Sequence, residues 1–371
     1  MVGEGERVRR CFIHGLDLSA CFYEEAVKPL MERYFPGLDH SAALLGAGSE
    51  VLGYDTAQSM DHDWGPRLML FLSRSDHETY RDDLDRVLRQ SLPLKIRGFP
   101  THFSQYEDGD GVMVTVDEGP VNHRVRILTV RGFFTDHLHF DPTGEIKAID
   151  WVSVPAYRLL MVTAGCVFHD GLDRLAPIRA RLHYYPDDVW LYLLAAQWRR
   201  IAQEEAFMGR CGQVGDDLGS RLVAGRLVKD LMGLGFLMER RYAPYIKWFG
   251  RAFTQLDCAD DLLVVFNQVM AATSWEARQT HLAAAYAYVA RMHNDLGITE
   301  ALSTEVSPFH NRPFLVIHAD RFVDAIRAEI GDKAVLDLPE HLGGYDQFVD
   351  STDALRYLDR FRAVYGADAV G

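Results

Sequence analysis

Gly48-Ser49-Glu50-Val51-Leu52-Gly53-Tyr54-Asp55 and then Ser59-Met60-Asp61-His62-Asp63-Trp64-Gly65-Pro66-Arg67 lead into Leu68-Met69-Leu70-Phe71-Leu72. The last five residues form a short apolar run, the pattern of a buried strand. On a strand, side chains at i and i+2 share a face, so this reading has Asp61 and Asp63 projecting together. Two like charges that close repel unless a cation lies between them. A hard, oxygen-seeking ion such as Mg2+ (or Mn2+) answers that need, and it commonly keeps water and substrate phosphates among its ligands. Upstream, Gly48 lets the backbone approach a phosphate closely. The Ser49 hydroxyl and nearby N–H groups can donate to it. Taken separately, each half also reads as something plainer: a common turn, and a solvated strand edge.

Together, the two halves resemble the signature of the nucleotidyltransferase superfamily, the polymerase-beta-like fold. That pattern is a Gly-Ser turn at the start of a helix, a short spacer, and an Asp-x-Asp pair on a strand. Gly48-Ser49, Gly53 and Asp61/Asp63 match it position by position. His62 departs from it, standing where the family usually has an apolar residue, and Ser59 lies two residues before the first Asp rather than beside it. The resemblance implies that Ser49 contacts the triphosphate of a nucleotide and that Asp61 and Asp63 hold the metals. Arg67 is a further candidate for nucleotide binding. Transfer of this kind also uses a third carboxylate, which helps hold the catalytic metal or takes the acceptor's proton. In the superfamily it stands on a later strand between apolar neighbours. Asp150, in Ile149-Asp150-Trp151, is favoured over Asp117 and Asp136; its other reading is a cap on the next helix. Without a third acid, a nucleotide-binding relative that does not catalyse is the better interpretation.

The chain has 371 residues, 48% apolar and 25% charged, which is the make-up of a soluble globular protein of two domains or one large one. A net charge of −14 argues against a nucleic-acid partner and fits a cationic small-molecule acceptor, although solubility alone explains it. Cys11, Cys21, Cys166, Cys211 and Cys258 form no CxxC pair and read as reduced thiols of a cytoplasmic protein. The charged start (Glu4, Glu6, Arg7, Arg9, Arg10) is followed by no apolar core, so no signal peptide is expected. No apolar run reaches membrane-spanning length.

Along the chain, apolar spacing predicts a helix from about Asp17 to Phe35, closed by Pro36-Gly37, and another from near Ser75 to about Gln90, closed by Pro93. Strands are expected over Gly111–Val116 and Arg124–Val130. From about Pro155 onward the pattern is almost wholly helical. Long helices are expected from Asp187, over Leu218–Arg240 with a stripe including Leu222, and over Trp275–Leu296. Shorter ones follow near Arg321–Ile330 and Asp353–Tyr365. The fold class is therefore α+β: a nucleotidyltransferase-like mixed sheet with helices over residues 1–150, then a helical bundle domain over 151–371 that binds the acceptor.

In that second part, the glycine-rich segment around Arg210, the run Arg240-Arg241-Tyr242-Ala243-Pro244-Tyr245-Ile246-Lys247-Trp248-Phe249 and Tyr184-Tyr185-Pro186-Asp187 look like the C-terminal domain of unknown function found beside this module in uncharacterised bacterial proteins. Arg210, Arg241 and Lys247 are candidates for binding triphosphate or pyrophosphate. Tyr242 and Trp248 could stack on a base. Aromatic clusters at helical spacing are also ordinary core, and basic residues near helix ends also offset the helix dipole. His137 and His139 alternate as if on a strand, a pattern that can ligate zinc, but no third ligand stands at a suitable spacing. His62 reads as a core histidine on the opposite face from the acid pair.

The expected activity is transfer of an NMP group from an NTP, ATP foremost, to a hydroxyl or amine of a small-molecule acceptor, with release of pyrophosphate. The alternatives are a non-catalytic nucleotide sensor and a protein- or tRNA-modifying nucleotidyltransferase.

Overall fold

Apolar side chains at helical spacing near the N-terminus wind into Gly15–Phe22 and Lys28–Tyr34, joined without a break by a π-turn over Tyr23–Val27. Leu18, Phe22, Val27 and Met31 face inward and pack on Leu68, Leu70 and Leu72. The computed structural model that shows this describes residues 11–61, 63–104 and 112–366. It divides into two compact units: Met1–Gly144 with Met161–His183, and Glu145–Leu160 with Tyr184–Gly371. The chain thus leaves the first unit, returns to it, and leaves again.

The first unit is built on strands β1 (Ser41–Leu44), β2 (Arg67–Leu72), β5 (Arg124–Thr129) and β6 (Cys166–Asp170), with a minimal hairpin of β3 (Lys95–Ile96) and β4 (Phe99–Pro100) beside them. The four-stranded sheet has the order β5-β2-β1-β6. β1 is antiparallel to both neighbours, with Ala42 opposite Leu70 and His169. β2 and β5 run parallel, with Arg67 opposite Arg124. A central strand is covered on both faces, which is why β2 reads as a continuous apolar run rather than an alternating one. Leu68, Leu70 and Leu72 meet the N-terminal helix, while Phe71 meets the edge of Phe133 at 5.5 Å. After β2, Ser73 caps the helix Arg74–Ser91 by accepting from the N–H of Asp76 at 3.1 Å.

Three expectations are corrected here. Val112–Val116 is not a strand; its ladder is limited to a single bridge between Phe103 and Met113, and Val112 is 39% exposed. Gly111 lies outside the described residues. β5 stops at Thr129, whose hydroxyl accepts from Gly132 N–H and starts the helix Val130–Leu138. His137 is therefore helical, donating from Nδ1 to Phe133 O at 2.8 Å, and His139 ends the helix at φ +59°. β6 falls inside the stretch expected to be helical, because pairing with β1 outweighs its local pattern.

In the second unit the long helices Asp187–Glu204, Asp217–Met238 and Trp275–Asp295 bury Trp198, Leu227, Leu231, Leu234, Leu282, Tyr286 and Val289. Leu222, expected in the buried stripe, is instead 63% exposed, while Ala224 is buried. Two buried charges tie elements together. Arg278, 1% exposed, donates to Ser220 Oγ at 2.6 Å and to Ala272 O at 3.3 Å. Glu205 accepts from the N–H groups of Ile317, His318 and Ala319 at the start of the helix Asp320–Ala328. Among the described residues no helix is long and apolar enough to cross a membrane. The architecture is α+β.

Candidate nucleotide site

β1 ends at Leu44 and the chain turns through Gly48-Ser49; β2 opens at Arg67, and Arg124 opens β5 in register with it. Because β1 is antiparallel to β2, and β5 parallel to it, the turn and both arginines come to one end of the sheet. Arg67 is the hub. Its Nη2 donates to Ala47 O at 3.2 Å and to the Glu50 carboxylate, and its Nη1 donates to Asp63 Oδ2 at 3.2 Å. Arg124 Nη1 lies 3.5 Å from the other oxygen of Asp63. That oxygen, Oδ1, is itself buried and has no hydrogen-bond partner. Glu50 is 3% exposed; burial pushes its carboxyl up, and the Arg67 charge opposes the rise.

The turn fits tightly around this pair. Gly48 has φ +140°, and a Cβ there would stand 2.6 Å from a Glu50 carboxylate oxygen and 2.7 Å from Arg67 Nη2. Ser49 is half-buried and its carbonyl accepts from Tyr54 N–H at 2.8 Å, which closes the turn. Asp55 anchors the loop from beneath, accepting from Gly15 N–H at 2.7 Å and from Trp64 Nε1 and His14 Nδ1 at 3.1 Å. Burial pushes the Asp55 carboxyl up, but these hydrogen bonds outweigh it and hold it below the usual range.

The strand on which Asp61 and Asp63 were to align does not reach them. Ala57–Asp61 is a 3-10 turn, Asp63 has φ +45°, and β2 begins only at Arg67. Strand parity therefore does not set their directions. Trp64, Gly65 and Pro66 are buried between the pair and the strand, and the loop follows their packing. Asp63 is brought to the Gly48 turn through Arg67, while Asp61 is exposed at the end of the 3-10 turn. His62 lies outside the described residues.

Asp117 and Asp136 belong to the first unit; Asp150, Arg210, Arg241, Tyr242 and Lys247 lie in the second. Asp150 caps its own helix, accepting from Lys147 N–H at 2.8 Å, and its second oxygen pairs with Arg362 Nη1 at 2.6 Å. Arg210 is exposed on the helix Phe207–Gln213, and Lys247 is exposed with Nζ 5.1 Å from the Trp248 ring centre. Arg241 and Tyr242 line one cavity. Tyr242 is only 7% exposed, with the rings of Tyr184 and Tyr185 at 5.1 and 5.0 Å, and burial pushes its phenol well above the usual value. Glu50 and Arg124 were not singled out from the sequence. The available signal was Arg67 standing four residues after Asp63, at the head of the apolar run.

A family model for a domain of unknown function (DUF4037) matches residues 151–249. No curated protein matches the chain. Among solved structures, a nucleotidyltransferase-like protein from Exiguobacterium sibiricum 255-15 aligns at a TM-score of 0.33 and 8% identity, over 83% of this chain and 88% of that one. A likeness at that level carries no argument about fold or function.

Proposed function

We propose that this chain is a protein of nucleotidyltransferase kind, taking the phosphates of an NTP, ATP foremost, at the Gly48-Ser49 turn. The observation that supports this most is the convergence of that turn, Asp63 and Arg67 at one end of the sheet. Gly48, with no side chain, lets the Glu50 carboxylate and Arg67 close on the turn, and the Arg67 guanidinium stands as a planar cation beside it. Mg2+ (or Mn2+) is proposed at Asp61 and Asp63. Asp61 is exposed and offers hard oxygen donors, while Asp63 Oδ1 makes no hydrogen bond but has Arg124 Nη1 at 3.5 Å, so an ion there would take that oxygen in competition with a guanidinium. Mg2+ characteristically takes one or two carboxylates and completes its shell with water and phosphate, so a cage of three protein ligands is not required. Bound there with a triphosphate, the ion would supply charge stabilisation for attacking and leaving oxygens. The finer reaction we propose is NMP transfer to a hydroxyl or amine of a small-molecule acceptor, with pyrophosphate released.

A second reading, nucleotide binding without transfer, is favoured by two observations. Both oxygens of Asp150 are engaged, and β5 opens on Arg124 rather than on an acid. The test is calorimetric titration of ATP with and without Mg2+, followed by pyrophosphate release across an acceptor panel. Metal-dependent binding that weakens at least about tenfold in Asp61→Ala/Asp63→Ala is expected. Binding without turnover selects the second reading. Equal binding by the double variant refutes the metal assignment.

A further inference from the structure

The second unit has an open cavity of about 110 Å3 between the helices Asp187–Glu204 and Asp217–Met238 and the turn around Tyr345. Its walls include the rings of Trp151, Phe236, Tyr242, Phe249 and Tyr345. A second hollow of about 130 Å3 shares Phe249, Tyr345 and Asp346 with it and adds Tyr157 and Tyr245. Those last two rings meet edge to face at 5.5 Å.

Two polar groups stand in these walls beside the rings. Tyr345 is 3% exposed, and its hydroxyl is buried without a hydrogen bond. A buried orphan hydroxyl costs stability and marks a place where a partner is expected. Asp346 carries the other. Its Oδ2 accepts from Ala156 N–H at 2.6 Å, and among the described residues no side-chain cation pairs with it. It is an exposed residue of the lining of both hollows, with Lys229 also in their walls. Neighbouring charges are already matched: Arg200 with Asp230 at 2.8 Å, and Lys229 with Asp350 at 3.0 Å. Arg241 is exposed on the lining.

We infer that the paired hollows bind a small organic ammonium ion, its charged head against Asp346 and the Tyr345 hydroxyl and its body against the aromatic rings. Ring faces carry negative potential and attract cations, most strongly where water is excluded. A carboxylate beside such rings, with no cation paired to it, attracts a cation and repels an anion. The volume suits a headgroup with one ring or a short chain. The site stands on residues of the second unit alone, whatever the outcome of the nucleotide reading.

The test uses the full chain and calorimetric titration with four probes: benzylammonium, benzyltrimethylammonium, benzyl alcohol and benzoate. Both cations are expected to bind at millimolar concentrations, benzyl alcohol more weakly and benzoate least. Asp346→Asn, which keeps an oxygen for Ala156 N–H, should weaken both cations about tenfold to a hundredfold and leave benzyl alcohol unchanged. Tyr345→Phe adds almost no change in shape and guards against a folding defect in the first variant. It should weaken benzylammonium several-fold and spare benzyltrimethylammonium, which has no N–H to donate. No cation binding, benzoate binding as well as the cations (Arg241 then dominating), or unchanged cation affinity in Asp346→Asn would each overturn the inference.

Discussion

Arg67→Met is the most informative single change at the sheet end. The methionine keeps most of the stem's packing and removes the guanidinium. Arg67 is 13% exposed and Glu50 3%, so the change strands a carboxylate in a buried place. Breaking a buried pair from one side costs about 3–5 kcal/mol, against at most about 1 kcal/mol for a surface pair. The pH dependence has a definite sign. Burial already pushes Glu50's carboxyl up and the Arg67 charge pulls it back, so removing that charge raises the folded-state pKa further. A group with a raised folded-state pKa gives stability that is present at low pH and lost as pH rises through that pKa. The deficit relative to wild type should therefore be greatest near pH 8 and shrink toward pH 5. Urea unfolding at a series of pH values measures it. Glu50→Gln/Arg67→Met should recover all but about 1–2 kcal/mol, because no buried charge is left unpaired. A deficit below about 1 kcal/mol at pH 8, or one that does not vary with pH, would refute the reasoning.

Gly48→Ala should cost about 1–3 kcal/mol from backbone strain at φ +140° and weaken Mg-ATP binding at least about tenfold by displacing Arg67. Gly37→Ala, at φ +79° with nothing near its Cβ, is the control: strain without loss of nucleotide affinity, read by thermal melting and titration. Glu205 is held at about 7, burial pushing it up more than the N–H groups of Ala319, Ile317 and His318 pull it down. Its contribution to stability is thus present at acid pH and lost as pH rises toward and through 7. Relative to wild type, Glu205→Gln should gain about 2–3 kcal/mol between pH 5 and pH 8 in denaturant titrations. A flat difference would mean that the carboxylate is ionised throughout.

The sequence made the long helices legible because their signals are local and repeated. Trp190, Leu194, Trp198 and Ile201 keep helical spacing over about three turns, and the apolar run at β2 announces a covered strand. The sheet was harder. Ser41-Ala42-Ala43-Leu44 has little strand propensity, and its identity comes from neighbours distant in sequence, β2 on one side and β6 on the other. The helix after β5 was hidden for a related reason: Thr129 is a good strand residue that here serves as a cap, and only tertiary context chooses between the two. At the candidate site, the turn and the two acids were visible as residue types. The Arg67 hub was not, since a guanidinium reaching Ala47, Glu50 and Asp63 depends on how a loop folds back. The Asp346 hollow was equally invisible, being assembled from helices and a turn far apart in the chain.

β6 reaches its place only after the polypeptide has passed through Glu145–Leu160 in the other unit. A fragment cut at residue 150 would therefore lose the strand that flanks β1 and the helix Leu175–Arg181 that follows it. One margin of the sheet would then offer unpaired N–H and C=O groups to any passing strand, an invitation to self-association. Because its last segment runs to His183, the sheet of the first unit cannot be completed until about half of the chain has been made.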